Sequence, residues 1–533
     1  RSGVLCLAQG RVDDAIRLLH RATALNPTWL PAWEQFSHAL GTLPNIPHDL
    51  VLLKDVAHAL TLAEINPTGA LEMSMRIIIG RYGSDPDVTL ARLAADRAQP
   101  LERVFQSLLV NFLLYRGVVD AQVEEIAMRL RASLLRAAGE TLAGAMEVVA
   151  IEMLSAYGIQ GFLSGYVLDE SPEESAQVAT IETQVRIDLA AHRVPVLKLA
   201  ALAAYRPLLA LGEAAHRLPH AGPHPAPFDR MVDIQISRPL EERALRSEIR
   251  KLQITETTSR RVQEQYEENP YPTWTMPLIS QADLETANAK TEAPESILVA
   301  GAGTGRHPLR VARLSPQSEV VALDLSLASL AYGARQARVL GIGNVTFVQG
   351  DLLDVAALGR TFDRISSVGV LHHMADPTRG LAALKGVLRP GGSIELALYT
   401  ESGRQHVVAG IALREKLGLK STPEDFRRFR RAVRAVPADH PLAALGRLPD
   451  FYSLSELRDL VFHVQEHRFT LPRVKEMLQA CGMRLEKFDV PAPVMAQFRT
   501  DFPGAEADID AWTKFEATAP GIFGSMYALT AKA

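Results

Sequence analysis

The sequence predicts two halves of different class, an all-α array followed by a mainly parallel α/β sheet. Three observations carry this. Residues from Ser2 to about Leu218 are rich in Ala and Leu at helical spacing. From Ser296 onward, short apolar runs alternate with helical segments, the pattern of a sheet covered on both faces. The first of those runs, Ile297 to Ala300, ends in Gly301, Gly303 and Gly305, and Leu309 to Leu314 then opens a helix. A strand, a glycine turn and a helix N-terminus in that order make a nucleotide-type cofactor site.

Composition bounds the rest. A chain of 533 residues exceeds one ordinary core, so two to four domains are expected. At 47% hydrophobic and 22% charged residues the chain reads as a globular protein. A formal charge of −4 gives no global reason to bind nucleic acid or an anionic membrane. The two cysteines, Cys6 and Cys481, cannot build a disulfide framework or a cysteine-only zinc site, which points to the cytoplasm. No apolar run reads as long enough to span a bilayer.

In the N-terminal half, Ala15, Leu18, Leu19, Ala22 and Leu25 share one helix face, and Pro27 ends that helix. Gly3, Ala15, Leu19, Ala22 and Pro27 fall in the small, small, large, small and proline positions of a tetratricopeptide repeat, with Trp33 opening the next unit. This resembles a tetratricopeptide array, and Arg1 then lies inside a repeat whose start is missing. Asn66-Pro67 repeats Asn26-Pro27 about forty residues on, longer than the usual period, with Thr42 to Pro47 holding the excess. Leu101 to Arg116 and Val123 to Ala138 are helical without a signature. Such arrays bind a protein or peptide on a concave face, or serve as oligomerisation scaffolds. The run His220 to Pro227 reads as a linker and Arg238 to Arg243 as the start of a charged helix.

The α/β half has strand candidates at Ile297–Ala300, Val320–Leu323, Val345–Val348, Phe362–Val368 and Ser393–Tyr399, with helices at Leu327–Leu340 and Arg379–Leu388. Ligands in such sheets sit at the carboxyl ends of the strands. Those ends carry Asp324, Asp351-Leu352, Gly369-Val370-Leu371-His372-His373 and Leu388-Arg389-Pro390-Gly391-Gly392. An acid after the second strand can accept both ribose hydroxyls, and a carboxylate beside a leucine suits adenine. The glycines recur every second residue, unlike the Gly-x-Gly-x-x-Gly of a nicotinamide dehydrogenase.

In this order and spacing the set resembles a class I S-adenosylmethionine-dependent methyltransferase, over about Ser296 to Thr400. The likeness resumes at the helix Leu471–Gln479 and the strands Met483–Val490 and Met526–Ala531. With the helical half, it is similar to bacterial tetratricopeptide-repeat-containing methyltransferases. The resemblance implies a Rossmann-like seven-stranded domain and S-adenosylmethionine as cofactor; the roughly seventy residues from Glu401 to Phe469 exceed a simple connection and suggest a helical cap insertion over the acceptor site. Gly301, Gly303 and Gly305 would lie at the methionine, Asp324 at the ribose, and Asp351 with Leu352 at the adenine. Ala300, Leu325 and Gly369 complete the expected set. Val299 departs from the family, which often has an acid there for the methionine ammonium. The expected division is 1–218, helical array; 219–290, linker and lead-in segment; 291–533, methyltransferase domain, with 401–469 as cap.

Methyl transfer is an in-line displacement that needs alignment and desolvation, and a base only when the acceptor arrives protonated. Candidate catalytic groups are Tyr266, in the run Tyr266 to Trp274, which can face a sulfonium with its ring; His372 and His373, at the end of the fourth strand; and His463 in the cap. His463-Val464-Gln465-Glu466-His467 spells the inverted zinc-protease signature, but Pro472 follows too soon for the continuous helix that signature needs, so no metal is expected. Ser453 and Glu456 read as a capping box. Arg427-Arg428-Phe429-Arg430-Arg431 is basic with an aromatic inside, though helical charge runs are usually solvated, and nucleic acid is not expected. Two acceptors stand open: a protein or peptide recruited by the helical half, or a small molecule with that half serving oligomerisation. A scaffold with a degenerate core is a third reading, opposed by the intact glycines, Asp324 and Asp351.

Overall fold

The computed structural model describes residues 2–47, 49–62, 65, 68–83, 93–95, 99–115, 120–220, 224–254, 256–268, 274 and 293–533. Arg1, Asn66-Pro67, all of 269–273 and the 275–292 stretch of the lead-in segment lie outside the described residues.

Among the described residues the regular structure of the N-terminal half is helical, including Ser2–Ala8, Val12–Leu25, Leu30–Thr42, Leu50–Ala59, Thr68–Tyr82, Pro100–Tyr115, Ala121–Ala138, Ala145–Ser164 and Pro172–Ala190. Gly3 explains the first packing contact, because a Cβ there would stand 2.7 Å from Leu19 Cγ. The helix Ala145–Ser164 corrects the expectation about apolar runs: it is long and apolar enough to cross a membrane by length and composition, and most of it is buried among its neighbours.

The C-terminal half holds an eight-stranded sheet, one strand more than expected. The strands are β1 (Arg250–Lys251), β2 (Ser296–Ala300), β3 (Glu319–Asp324), β4 (Val345–Gln349), β5 (Phe362–Val368), β6 (Leu388–Tyr399), β7 (Arg484–Phe488) and β8 (Met526–Lys532). Their order is β1-β4-β3-β2-β5-β6-β8-β7. All neighbours pair in parallel except β8, which is antiparallel to β6 and β7. The β2 run SILVA is buried at every position, which is why Ile297 to Ala300 reads as an unbroken apolar stretch. The turn Pro390-Gly391-Gly392 lies within β6. A Cβ on Gly392 would meet the Asp363 carbonyl at 2.6 Å.

Two boundaries move from their expected places. The segment 219–290 is not simply a linker. Phe228, Met231 and Val232 are buried in the helical core, while Leu245 and Ile249 are buried against β2 and β3, and Arg250–Lys251 adds β1 to the sheet edge. The cap does not hang from the sheet domain either. Phe426, Phe429, Phe451, Leu457 and Phe462 belong to the same hydrophobic core as the N-terminal helices. The helical half and the cap are therefore one layer, clamped over the strand ends.

The clamp is the basic run. Arg430, 1% exposed, pairs with the fully buried Glu124 of the helix Ala121–Ala138. Arg434 reaches the same carboxylate at 2.7 Å. Arg430 also donates to the carbonyls of Val167 and Phe451, Arg427 to that of Tyr166, and Arg431 pairs with Asp169 at 2.8 Å. A run that reads as a solvated or RNA-facing patch is thus an intramolecular joint.

Candidate active site

The carboxyl ends of β2 to β6 open into one cavity of about 550 Å³, a size usual for small-ligand sites. Its floor is built by the glycine turn. Gly301 and Ala302 donate to the Leu323 carbonyl, and Gly303 N–H donates to Asp324 Oδ2 at 2.7 Å. Asp324 Oδ1 accepts from Ser326 N–H at 2.8 Å, so one carboxylate ties the turn to the end of β3. Burial pushes the Asp324 carboxyl above its ordinary range, and these backbone donors pull it back.

Gly301 has φ +84°, and a Cβ would stand 2.0 Å from Val370 Cγ2. Left-handed strain and overpacking together put Gly301→Ala at about 2–5 kcal/mol of destabilisation, to be read in thermal unfolding. Gly305, at φ +86°, is required for a different reason: a Cβ would meet Gly333 Cα at 2.8 Å. It lets the helix Arg306–Leu314 pack on the helix Leu327–Val339 and does not line the cavity. Ala300 lies in the buried sheet behind the turn.

Gly301, Gly303, Asp324, Leu325, Asp351, Leu352 and Gly369 all line the cavity. Two orphaned buried atoms show what it would take. Asp351 Oδ1 accepts from Leu353 N–H, but Oδ2 is buried with no partner among the described residues, as is Ser329 Oγ. A free carboxylate oxygen beside Leu352 suits an adenine amine, and the set as a whole fits S-adenosylmethionine. Val299, on β2, points into the core with Val320 and Ala322 of β3, so no acid reaches a methionine ammonium from there.

The lead-in helix Thr257–Glu268 is fastened to this wall. Glu267 Oε1 accepts the first N–H groups of the helix Leu327–Val339, and Ser326 Oγ donates to the Tyr266 carbonyl. The Tyr266 hydroxyl donates to Asp459 of the cap at 2.5 Å. Trp274 packs on Leu309 and Ala337 and donates to the Thr304 carbonyl.

The four catalytic candidates separate. Tyr266 and His373 line the cavity. His372 lies behind it, fully buried and stacked on Tyr399 at 3.6 Å, with no partner on either nitrogen among the described residues. His463 stacks on His373 at 3.6 Å. The backbone of one residue, Gln465, sets both tautomers. His373 Nδ1 donates to the Gln465 carbonyl (2.8 Å), leaving Nε2 a lone pair, while His463 Nδ1 accepts from Gln465 N–H (3.1 Å), leaving its proton on Nε2. Burial holds His373 down at about 4 and His463 at about 3, so both rings are neutral near pH 7. The helix Leu454–Val461 ends before His463, so the His-x-x-Glu-His run is not helical, and its Glu466 is held by Arg404 at 2.7 Å. Ser453 is the N-cap of that helix without a side-chain cap bond, so the expected capping box does not form.

Asp459, Tyr399, Arg306, Arg310 and Arg379 also line the cavity and were not anticipated. Arg306 and Arg310 are one turn apart on the helix Arg306–Leu314, a spacing legible in the sequence. Asp459 carried no signal, since only the fold of the cap brings it to the sheet.

Residues 297–392 match the family model described as Methyltransferase domain. The chain is 44% identical over 112 residues to an uncharacterized protein of Synechococcus sp., covering 21% of this chain and 27% of that protein. It is 33% identical over 121 residues to the tRNA U34 carboxymethyltransferase of Methylococcus capsulatus (22% and 37% covered). It is 33% identical over 144 residues to the trans-aconitate 2-methyltransferase of Deinococcus radiodurans (27% and 52%). PKMT2 from Rickettsia typhi matches in structure with a TM-score of 0.37 and 16% identity, over 49% of this chain and 54% of that one. The chain thus spans about half or less of the length of these curated relatives.

Proposed function

We propose, from the premise that the C-terminal half is an S-adenosylmethionine-dependent methyltransferase domain, that this protein methylates an acceptor held between the sheet and the helical cap. The observation that carries the reading is the single cavity in which the glycine turn, Asp324 and the free Asp351 oxygen share walls with cap and lead-in residues.

Once bound, S-adenosylmethionine supplies an electrophilic sulfonium methyl. The chain's own contribution is placement and exclusion of water. Gly301 and Gly303 leave room at the methionine end, Asp324 takes the ribose hydroxyls, and Asp351 Oδ2 takes the adenine amine. Arg306, Arg310 and Arg379 form no ion pair among the described residues and are available to the methionine carboxylate. The cap and Tyr266 close the acceptor side, where a drier site strengthens each polar contact.

The helical half, in this reading a tetratricopeptide-type array, has a structural duty in holding the cap. A protein or peptide acceptor recruited by that array is one reading, supported by a groove lined by Glu34, His38, Gly69 and Glu72. A small-molecule acceptor is the other, favoured by the cover that cap and lead-in helix place over the strand ends. Calorimetry with S-adenosylmethionine and S-adenosylhomocysteine is expected to show binding of both; a folded sample that binds neither ends the proposal. Labelled-methyl transfer into lysate, separated by size, decides between the acceptors.

A further inference from the structure

We infer that the acceptor is an amine and that Asp459 is the group that receives its proton. This rests on the methyltransferase reading above and adds the substrate class and a catalytic residue.

Asp459 is 5% exposed and lines the cavity. Its one hydrogen-bond partner among the described residues is the Tyr266 hydroxyl, and it forms no ion pair among them. Arg404, which faces the same corner, is taken by Glu466. A carboxylate buried without a cation is costly, and an incoming cation relieves that. Two further atoms point the same way. Tyr399 is 6% exposed, its ring is sandwiched between His372 and the Arg404 guanidinium at 3.6 and 3.5 Å, and its hydroxyl has no partner among the described residues. His373 presents its Nε2 lone pair, fixed by the Gln465 carbonyl. Donor atoms of His373, Asp459 and His463 lie within 4.8 Å of one another, and the His373 and Tyr399 rings are 5.7 Å apart. An ammonium carries three N–H donors, and the corner offers a carboxylate, an imidazole lone pair and a phenol oxygen. A hydroxyl would satisfy one of these, and a carboxylate would meet Asp459 with like charge. The His463 tautomer turns an N–H toward the corner, leaving it short of the lone pairs a metal needs.

In the reaction the ammonium gives one proton to an Asp459 oxygen. The freed nitrogen lone pair forms the N–CH₃ bond as the S–CH₃ bond breaks, with its electrons staying on sulfur. The products are the methylated amine and S-adenosylhomocysteine, and the Asp459 proton leaves to solvent. Tyr266 is a positioning residue: its hydroxyl holds the Asp459 carboxylate.

Groups from every neighbouring element face Asp459: Tyr266 from the lead-in helix, Asp450, Glu456, His463 and Glu466 from the cap, His373 after β5, and Tyr399 and Arg404 at and just after the end of β6. Burial raises the Asp459 carboxyl, and His463 and the Tyr266 hydroxyl oppose the rise. Amine binding therefore weakens as pH falls through that raised value.

The test titrates the S-adenosylhomocysteine complex with n-butylamine, n-butanol and butyrate. The amine is expected to bind and the other two not. Asp459→Asn is expected to weaken the amine about tenfold or more while keeping S-adenosylhomocysteine affinity. Tyr266→Phe is expected to move the acid midpoint of amine binding to higher pH, a shift a merely structural tyrosine would not produce. Absent amine binding, equal binding of n-butanol or butyrate, an unchanged Asp459→Asn variant, or zinc ions that displace the amine would each overturn the assignment. Failure of the wild type to bind S-adenosylhomocysteine would instead sink the methyltransferase reading itself.

Discussion

Glu124→Gln is expected to destabilise the protein by about 3–5 kcal/mol, because it leaves the Arg430 guanidinium buried without its counter-charge. Glu124 Oε2 takes both Arg430 and Arg434, and neither Glu124 nor Arg430 reaches bulk water. The desolvation of Arg430 is already visible in a pKa held below its ordinary value by burial. The neighbouring Arg431–Asp169 pair is the internal control, since Arg431 is half exposed and screened. Its loss in Arg431→Ala is expected to change stability by under about 1 kcal/mol. Thermal unfolding should show the difference in the transition of the helical layer. Because the joint fixes the cap and not the glycine turn, S-adenosylhomocysteine affinity should hold in Glu124→Gln while acceptor-side binding falls. Equal effects of the two substitutions would mean that the joint contributes no more than a surface pair.

Asp324→Ala is expected to lower cofactor affinity by about 1.5–3 kcal/mol, roughly ten- to a hundredfold, through the lost charge-assisted ribose bonds. A second penalty falls on the protein, because the N–H groups of Gly303 and Ser326 lose their acceptor. The two effects separate in calorimetry and unfolding of the same variant. Unchanged affinity would remove Asp324 from the cofactor wall.

How much of this could be read from the chain depends on how local each feature is. The strand at Ile297–Ala300, the glycines after it and Asp324 were legible because fully buried parallel strands must be apolar, and a turn at φ +84° must be glycine. Phe362–Val368 was read to the residue. The role of Gly305 was misassigned from the same run, because sequence cannot show whether a missing Cβ makes room for a ligand or for another backbone. Here Gly333 occupies the space. His372 and His373 looked equivalent as neighbours, yet a single turn buries one behind Tyr399 and turns the other to the cavity.

The cap shows the limit most clearly. Its basic run had the composition of a solvated or nucleic-acid-facing helix, because charge pattern does not reveal a partner that lies about three hundred positions away in the chain. Glu124 is that partner, and Arg430 is among the most buried side chains in the protein. Asp459 likewise has no motif around it. Its significance comes from standing beside Tyr266, His373 and Tyr399, contributed by three other elements.

By itself, then, the sequence determined the class of both halves, the glycine turn and the strand-end carboxylates, since periodicity, glycine spacing and burial act over a few residues. Only the tertiary structure decided that the cap belongs to the helical layer, that the arginine run is a joint, and that a buried carboxylate with no ion pair among the described residues faces the cavity. Those depend on which distant surfaces exclude water together, and desolvation turns an ordinary aspartate or arginine into a specific one.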